Sequence, residues 1–243
     1  VNKYLVRQFL ASSRLLRSVR LARSLDAVLI DNRFLSEVGK RGISQILDIG
    51  AHEGESTATY LSRTQADVYA FEPNPDACKV FEERLGAETR VQLSSVALND
   101  AEGDATLNRT KNDQATSLLS PSAEGLRLWG APLQPDGSFL AAGTTLDNWM
   151  IDHLPDATNV AIKIDVQGAE GRVLEGGMAT LQERTELLVT EAQIAPTYDG
   201  QAGLNEILAT LHGSTPLRLA AIAPCATGPD GRALQTDLLF IRP

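Results

Sequence analysis

Residues 46–54 read Ile46-Leu47-Asp48-Ile49-Gly50-Ala51-His52-Glu53-Gly54, and this stretch decides the fold. Four residues of mainly aliphatic character, with an acid in third place and a glycine directly after them, predict a short buried strand that turns sharply into a helix. Gly50 lacks a Cβ, so the backbone can bend tightly there and approach a ligand closely. The helix predicted over residues 56–62 adds free N–H groups at its start.

Alternation continues outward from this unit. Strands are expected at 68–71, 91–97, 160–166, 187–192, 217–222 and 236–241, with a short extra strand at 105–107. Helices are expected at 76–85, 145–154, 169–182 and 204–211. Such a chain folds as an α/β domain, a Rossmann-like doubly wound, mostly parallel sheet covered on both faces. Pro224, Gly228, Pro229 and Gly231 separate the last two strands, which predicts a C-terminal antiparallel hairpin. Residues 110–143 have weak periodicity and much Ser, Gly, Pro and Asn. They read as a long loop, and loops of that length in compact domains are often functional.

The 243 residues divide into an N-terminal helical extension (1–42) and one domain (43–243). In the extension, Leu5, Phe9 and Leu16 can form an apolar face opposite Arg7, Arg14 and Arg17. Its first 25 residues hold six basic side chains and no acid, so the other 218 carry −15 of an overall −9. So acidic a domain would repel a phosphate backbone, which argues against nucleic acid as a partner. The basic helix either packs on the domain with solvated Arg residues or meets an anionic membrane surface or acidic partner. No apolar run approaches membrane-spanning length. Arg residues interrupt the apolar start, so a secretory signal is not expected. Cys78 and Cys225 have no metal-binding or disulfide spacing. A cytoplasmic setting is the expectation.

Three strand ends carry the candidate chemistry. The first is Asp48 with Gly50. A pyrophosphate site would want a second close glycine where Ala51-His52 stand, and no acid at Asp48. S-adenosylmethionine has no phosphate and carries a cationic amino group, so an acid suits it. The second is Glu72 in Phe71-Glu72-Pro73-Asn74-Pro75, at nearly the spacing where doubly wound folds place a ribose-binding carboxylate. The third is Asp165 in Lys163-Ile164-Asp165-Val166-Gln167-Gly168-Ala169-Glu170, at a carboxyl edge of the sheet, where such folds bind ligands. Taken alone, an Asp in that place could equally be a helix cap.

These motifs, with Val96-Ala97-Leu98-Asn99 and Thr145-Leu146-Asp147, resemble those of the FkbM family of methyltransferases over residues 43–192. The resemblance implies S-adenosylmethionine as cofactor, and transfer of its methyl group to a hydroxyl on a sugar, glycan or secondary metabolite. It places Asp48, Gly50, Ala51, His52, Gly54, Glu72, Pro73, Asn74, Ala97 and Leu98 around the cofactor. His52 stands where the family often has Asn. Asp165 is the first candidate base, with Glu170 and Glu191 next; alternatively these three carboxylates hold a divalent metal. Two other readings of the fold are an NAD-linked oxidoreductase and a non-catalytic nucleoside-binding module. The missing glycine and Asp48 argue against the first; the intact acids argue against the second.

Overall fold

The computed structural model describes residues 19–228 and 230–243. In chain order the first elements are α1 (Val19–Arg41), β1 (Gln45–Ile49), α2 (Glu55–Arg63), β2 (Asp67–Phe71), α3 (Pro75–Leu85) and β3 (Val91–Ser94). There follow β4 (Ala97–Leu98), β5 (Gly103–Thr110), α4 (Ala123–Trp129), β6 (Pro135–Thr144), α5 (Leu146–His153) and β7 (Val160–Ile164). The remainder is α6 (Glu170–Gly176), α7 (Met178–Glu183), β8 (Thr185–Gln193), α8 (Leu204–Ser214), β9 (Arg218–Ile222), β10 (Ala226–Thr227) and β11 (Ala233–Ile241). The face expected from Leu5, Phe9 and Leu16 lies outside the described residues.

Eight strands form one sheet in the order β10-β11-β8-β7-β1-β2-β3, with β9 also on β11. From β8 to β3 every neighbour is parallel. β11 runs antiparallel between β8 on one side and β9 and β10 on the other. The sheet is therefore Rossmann-like with an antiparallel C-terminal end, as its alternation predicts.

Strand periodicity sorts the core into two layers. Leu47, Ile49, Ile162 and Ile164 face one side with Leu146, Leu174 and Leu211 from α5, α6 and α8. Ile46, Ala161, Val189 and Leu239 face the other, with Phe34 and Val38 of α1, Tyr60 of α2 and Phe81 of α3. α1 is bound into this second layer, its Ile30, Phe34, Leu35 and Val38 all buried. Among the described residues no helix is long and apolar enough to cross a membrane.

Three stretches differ from the sequence expectation. Residues 110–143 are mostly structured: β6 pairs antiparallel with β5 from Gly103↔Gly143 to Thr110↔Pro135. β6 is largely exposed, Leu140 by 69%, so main-chain pairing holds it and hydrophobic alternation is weak. The strand expected at 91–97 stops at Ser94, and β4 joins β6 in a separate three-stranded sheet. The helix expected at 169–182 breaks at Gly177 into α6 and α7. A Cβ on Gly176 would lie 2.0 Å from the Asn99 carbonyl oxygen, so close packing there needs glycine.

Candidate functional site

The carboxyl ends of β1, β2, β7 and β8 open into a cleft of about 1030 Å³. Its floor is where β1 and β7 end side by side. Gly50 has φ 79°, a conformation that favours glycine. A Cβ there would fall 1.9 Å from the Asp165 carbonyl oxygen. Asp165 N–H donates to Ile49 O at 3.0 Å, and the Gly50 and Ala51 N–H groups both donate to Phe71 O at 3.0 Å. These bonds tie the ends of three strands together.

Asp48 lies beneath this floor and not on the cleft wall, which corrects its sequence-based placement. It points toward the layer of α1 and α2 and is fully buried. Ser56 and Thr57, in the first turn of α2, donate their hydroxyls to Asp48 Oδ2 at 2.7 and 2.6 Å. Its register partner across the sheet is Lys163, whose Nζ is 3.3 Å from Asp48 Oδ1 and 3.9 Å from Asp165 Oδ2. Lys163 also donates to Gly50 O at 2.8 Å. Burial alone would depress the Lys163 amine, yet the Asp48 and Asp165 carboxylates outweigh it and hold its pKa above the usual range.

Glu72 lies on the cleft wall at the end of β2. Its Oε2 accepts from His52 N–H at 2.9 Å and its Oε1 from Asn74 N–H at 2.7 Å. Burial pushes its pKa up, against the lowering effect of those two N–H groups. The carboxyl is thus fixed by main chain, with lone pairs left for a ligand. Gly50, Ala51, His52, Pro73, Ala97 and Leu98 line the cleft beside it. Gly54 and Asn74 do not. Gly54, at φ 82°, lets α2 start against Phe81 and Leu85, and Asn74 caps α3 by accepting from Asp76 N–H.

The other acids meet one strand further along. Ligating oxygens of Asp165, Glu170 and Glu191 all lie within 4.8 Å of one another. Asp165 is 41% exposed in its side chain and accepts from Gln167 Nε2 at 2.6 Å. Glu170 is buried, and its Oε1 accepts from the N–H groups of Val166 and Gly168 at 3.0 and 3.2 Å. Burial raises its pKa to about 7, and the two N–H groups it accepts from make it a brace for the loop that carries Asp165. Glu191 accepts from the side-chain amides of Gln193 and Gln235. An all-carboxylate set of this kind has the donor chemistry of a hard divalent cation.

Several lining residues escape a reading of the sequence. Asp113 reaches over the cleft to His52 Nε2 at 3.3 Å. Asp31 comes from α1, Cys225 from the segment before β10, and Gln235 and Asp237 from β11. Lys163 was visible in its motif, but its pairing with Asp48 needs the β1–β7 register. Among the described residues it is the only Lys or Arg on the wall, and acids already engage it. A wall so short of cations fits a phosphate-free cationic nucleoside such as S-adenosylmethionine and is a poor site for a pyrophosphate.

Comparison with known proteins gives the same picture. The sequence profile described as "Methyltransferase FkbM domain" matches residues 48–216. The chain is 31% identical over 176 residues to the 2-O-methyltransferase NoeI of Sinorhizobium fredii (strain NBRC 101917 / NGR234), covering 67% of this chain and 69% of that one. Among solved structures, a Klebsiella pneumoniae protein provisionally assigned as an O-methyltransferase matches at TM-score 0.51 and 12% identity. That match covers 100% of this chain and 96% of the other. Aeropyrum pernix fibrillarin, solved with natively bound S-adenosyl-L-methionine, matches at TM-score 0.45 and 9% identity, over 82% and 66% of the chains.

Proposed function

The chain belongs to the FkbM methyltransferase family, and from that premise we propose that it methylates a hydroxyl oxygen on a sugar, glycan or hydroxylated secondary metabolite. S-adenosylmethionine is the methyl donor, and when bound it supplies both the activated methyl group and its own leaving group. The name of the relative NoeI, a 2-O-methyltransferase, supports oxygen as the receiving atom.

The protein's part is to hold, orient and deprotonate. Glu72 and the Gly50–Ala51–His52 turn would hold the nucleoside end, and Ala97 and Leu98 its apolar surface. A hydroxyl is a poor nucleophile until a base takes its proton. Asp165 has the exposure to meet an incoming hydroxyl, and the Glu170 brace fixes its loop. Lys163 Nζ lies 3.9 Å from Asp165 Oδ2 and helps to hold that carboxylate at the strand end. Orienting the hydroxyl lowers the barrier further by removing its freedom to turn away.

One observation carries this reading. Glu72 and Asp165 end β2 and β7, the two strands flanking β1, and both face one cleft. The test is calorimetric titration with S-adenosylmethionine, followed by transfer of its labelled methyl group to a panel of glycosides and hydroxylated metabolites. Binding with label appearing only on nitrogen would sink the hydroxyl assignment. Absence of binding would sink the whole reading.

A further inference from the structure

The smaller sheet leaves one strand half-paired. β6 joins β5 from Gly103↔Gly143 to Asn108↔Ser138, but on its other side β4 reaches only Gly143 and Thr144. From Asp136 to Ala142 that side of β6 has no neighbouring strand, and among the described residues no main-chain hydrogen bond reaches it. We propose that this edge pairs with the same edge of a second copy of the chain, antiparallel about a two-fold axis at Phe139, so that two three-stranded sheets become one.

The edge is open by composition as well as by position. Natural sheets guard an exposed edge with a lysine, a proline, a bulge or a very short strand. Gly137-Ser138-Phe139-Leu140-Ala141-Ala142-Gly143 has no charge and no proline, and its ladder with β5 runs without a bulge as far as Asn108. The other edges are guarded. β3 has four residues, β10 has two, and β9 has five and starts at Arg218. The far side of β5 is bridged at Asn108 by Ser117.

The occupant follows from where the open run stops. Beyond Ala142 the edge belongs to β4, and at the other end Pro135 has no N–H to give. Residues 136–142 lie between these stops and are centred on Phe139, so antiparallel pairing of the run with itself uses all of it. Ser138 then faces the second copy's Leu140, and about six to eight main-chain hydrogen bonds are exchanged. Face parity is kept. Phe139 and Ala141 stay on the side that packs against Ala97, Ala105 and Leu107, while Ser138 and Leu140 share the outer side. Leu140, 69% exposed in the single chain, becomes the diagonal neighbour of its own copy across the axis, at a separation long side chains bridge. Charge points the same way. The chain carries −9, so two copies repel on most approaches, and this neutral strand is where they meet with least repulsion. Each copy offers one such edge, so the two-fold closes the assembly at a dimer. The joined sheet also backs the cleft, because Ala97, Leu98 and Leu107 of the cleft wall belong to β4 and β5.

Sedimentation of the full chain without ligand reads the association directly. A monomer–dimer equilibrium is expected between ~1 and ~100 µM, as suits a pairing at the small end of specific interfaces. Leu140→Lys removes the apolar contact and sets two like charges across the axis, so it should weaken dimerisation roughly tenfold. Its melting temperature and its binding of S-adenosylmethionine should match the wild type, because the Leu140 side chain is largely outside its own core. The register has a separate test. Chains carrying Ser138→Cys are mixed with chains carrying Leu140→Cys, both with the exposed Cys225 changed to Ser, and oxidised. Paired residues lie ~4.5–5.5 Å apart at Cα, within the span of a disulfide, and the diagonal like-with-like pairs lie farther apart. The mixture should therefore cross-link much faster than either variant alone. A wild type that stays monomeric across the whole range overturns the proposal, whatever else covers the edge. So does a dimer indifferent to Leu140→Lys, or a mixture that cross-links no faster than its components. Should the lysine variant not fold, the cysteine mixture decides.

Discussion

Replacing Glu72 by Gln separates two roles that the structure assigns to one carboxyl. The two side chains have the same length, but the amide offers one acceptor oxygen where the carboxylate offers two. Glu72 Oε2 serves His52 N–H and Oε1 serves Asn74 N–H, so in the variant one N–H must face an NH₂ group. A buried donor left unsatisfied costs ~1–3 kcal/mol. Burial also penalises the ionised glutamate, and the neutral amide escapes that penalty, so the lower end of the range applies. For a chain of this size about 1 kcal/mol lowers Tm by about 2–4 °C. Binding changes separately: one charge-assisted hydrogen bond to the ligand is worth ~1.5–3 kcal/mol, which is roughly tenfold to a hundredfold in Kd. Calorimetric titration with S-adenosylmethionine and a thermal melt read the two effects independently. An unchanged Kd would remove Glu72 from the cofactor site; an unchanged Tm would refute its role as a brace for the two turns.

Asp165→Asn should bind S-adenosylmethionine within a few-fold of wild type and lose ~10²–10⁴-fold in turnover, the usual contribution of a positioned base. Chelator treatment of the wild type then distinguishes base from metal ligand, and near-normal turnover in the variant leaves Asp165 a structural residue. Gly50→Ala, with its Cβ 1.9 Å from Asp165 O at φ 79°, should lose about 3 kcal/mol or more in urea unfolding. Gly137→Ala, at φ 92° in open space, should lose only ~1–2 kcal/mol, and equal losses would mean that crowding at Gly50 is not the cause. Glu170 has a folded pKa of about 7, above its ordinary 4.5, so the fold prefers its protonated form. That stability is present below pH 4.5 and is lost as pH rises to about 7, by about 3 kcal/mol. Glu170→Gln should flatten the curve across that window, and a wild-type-minus-variant difference independent of pH refutes the assignment.

Much of this was legible in residue order. Aliphatic runs ending in Asp48, Glu72 and Asp165 announced parallel strands whose carboxyl ends share an edge, and the turn after Ile222 announced the antiparallel end. What stayed hidden depends on register. Asp48 is two residues from Gly50, yet whether it looks into the cleft or beneath it follows from sheet parity and from its partner Lys163, far along the chain on β7. Asp31 and Asp237 lie in helical and strand patterns that read as ordinary amphipathic surface, and only the packing of α1 on β8, β10 and β11 turns them inward. The strand at 105–107 was legible, but its partner β6 escaped for the opposite reason: hydrogen-bonded main chain, with few buried side chains, leaves almost no pattern to read.

The place of β11 inside the sheet sets a timetable for making the molecule. α1 leaves the ribosome about 190 residues ahead of the strand on which it comes to rest, a wait of roughly 10–40 s at ordinary elongation rates. Until β11 arrives, one edge of β8 has no neighbour and α1 lacks much of its seat. Bare edges of that kind invite association between nascent chains, and contacts this distant in sequence form slowly. β11 therefore completes both the sheet interior and the cleft wall, and a ribosome-bound chain that has formed every element before it still lacks a finished site.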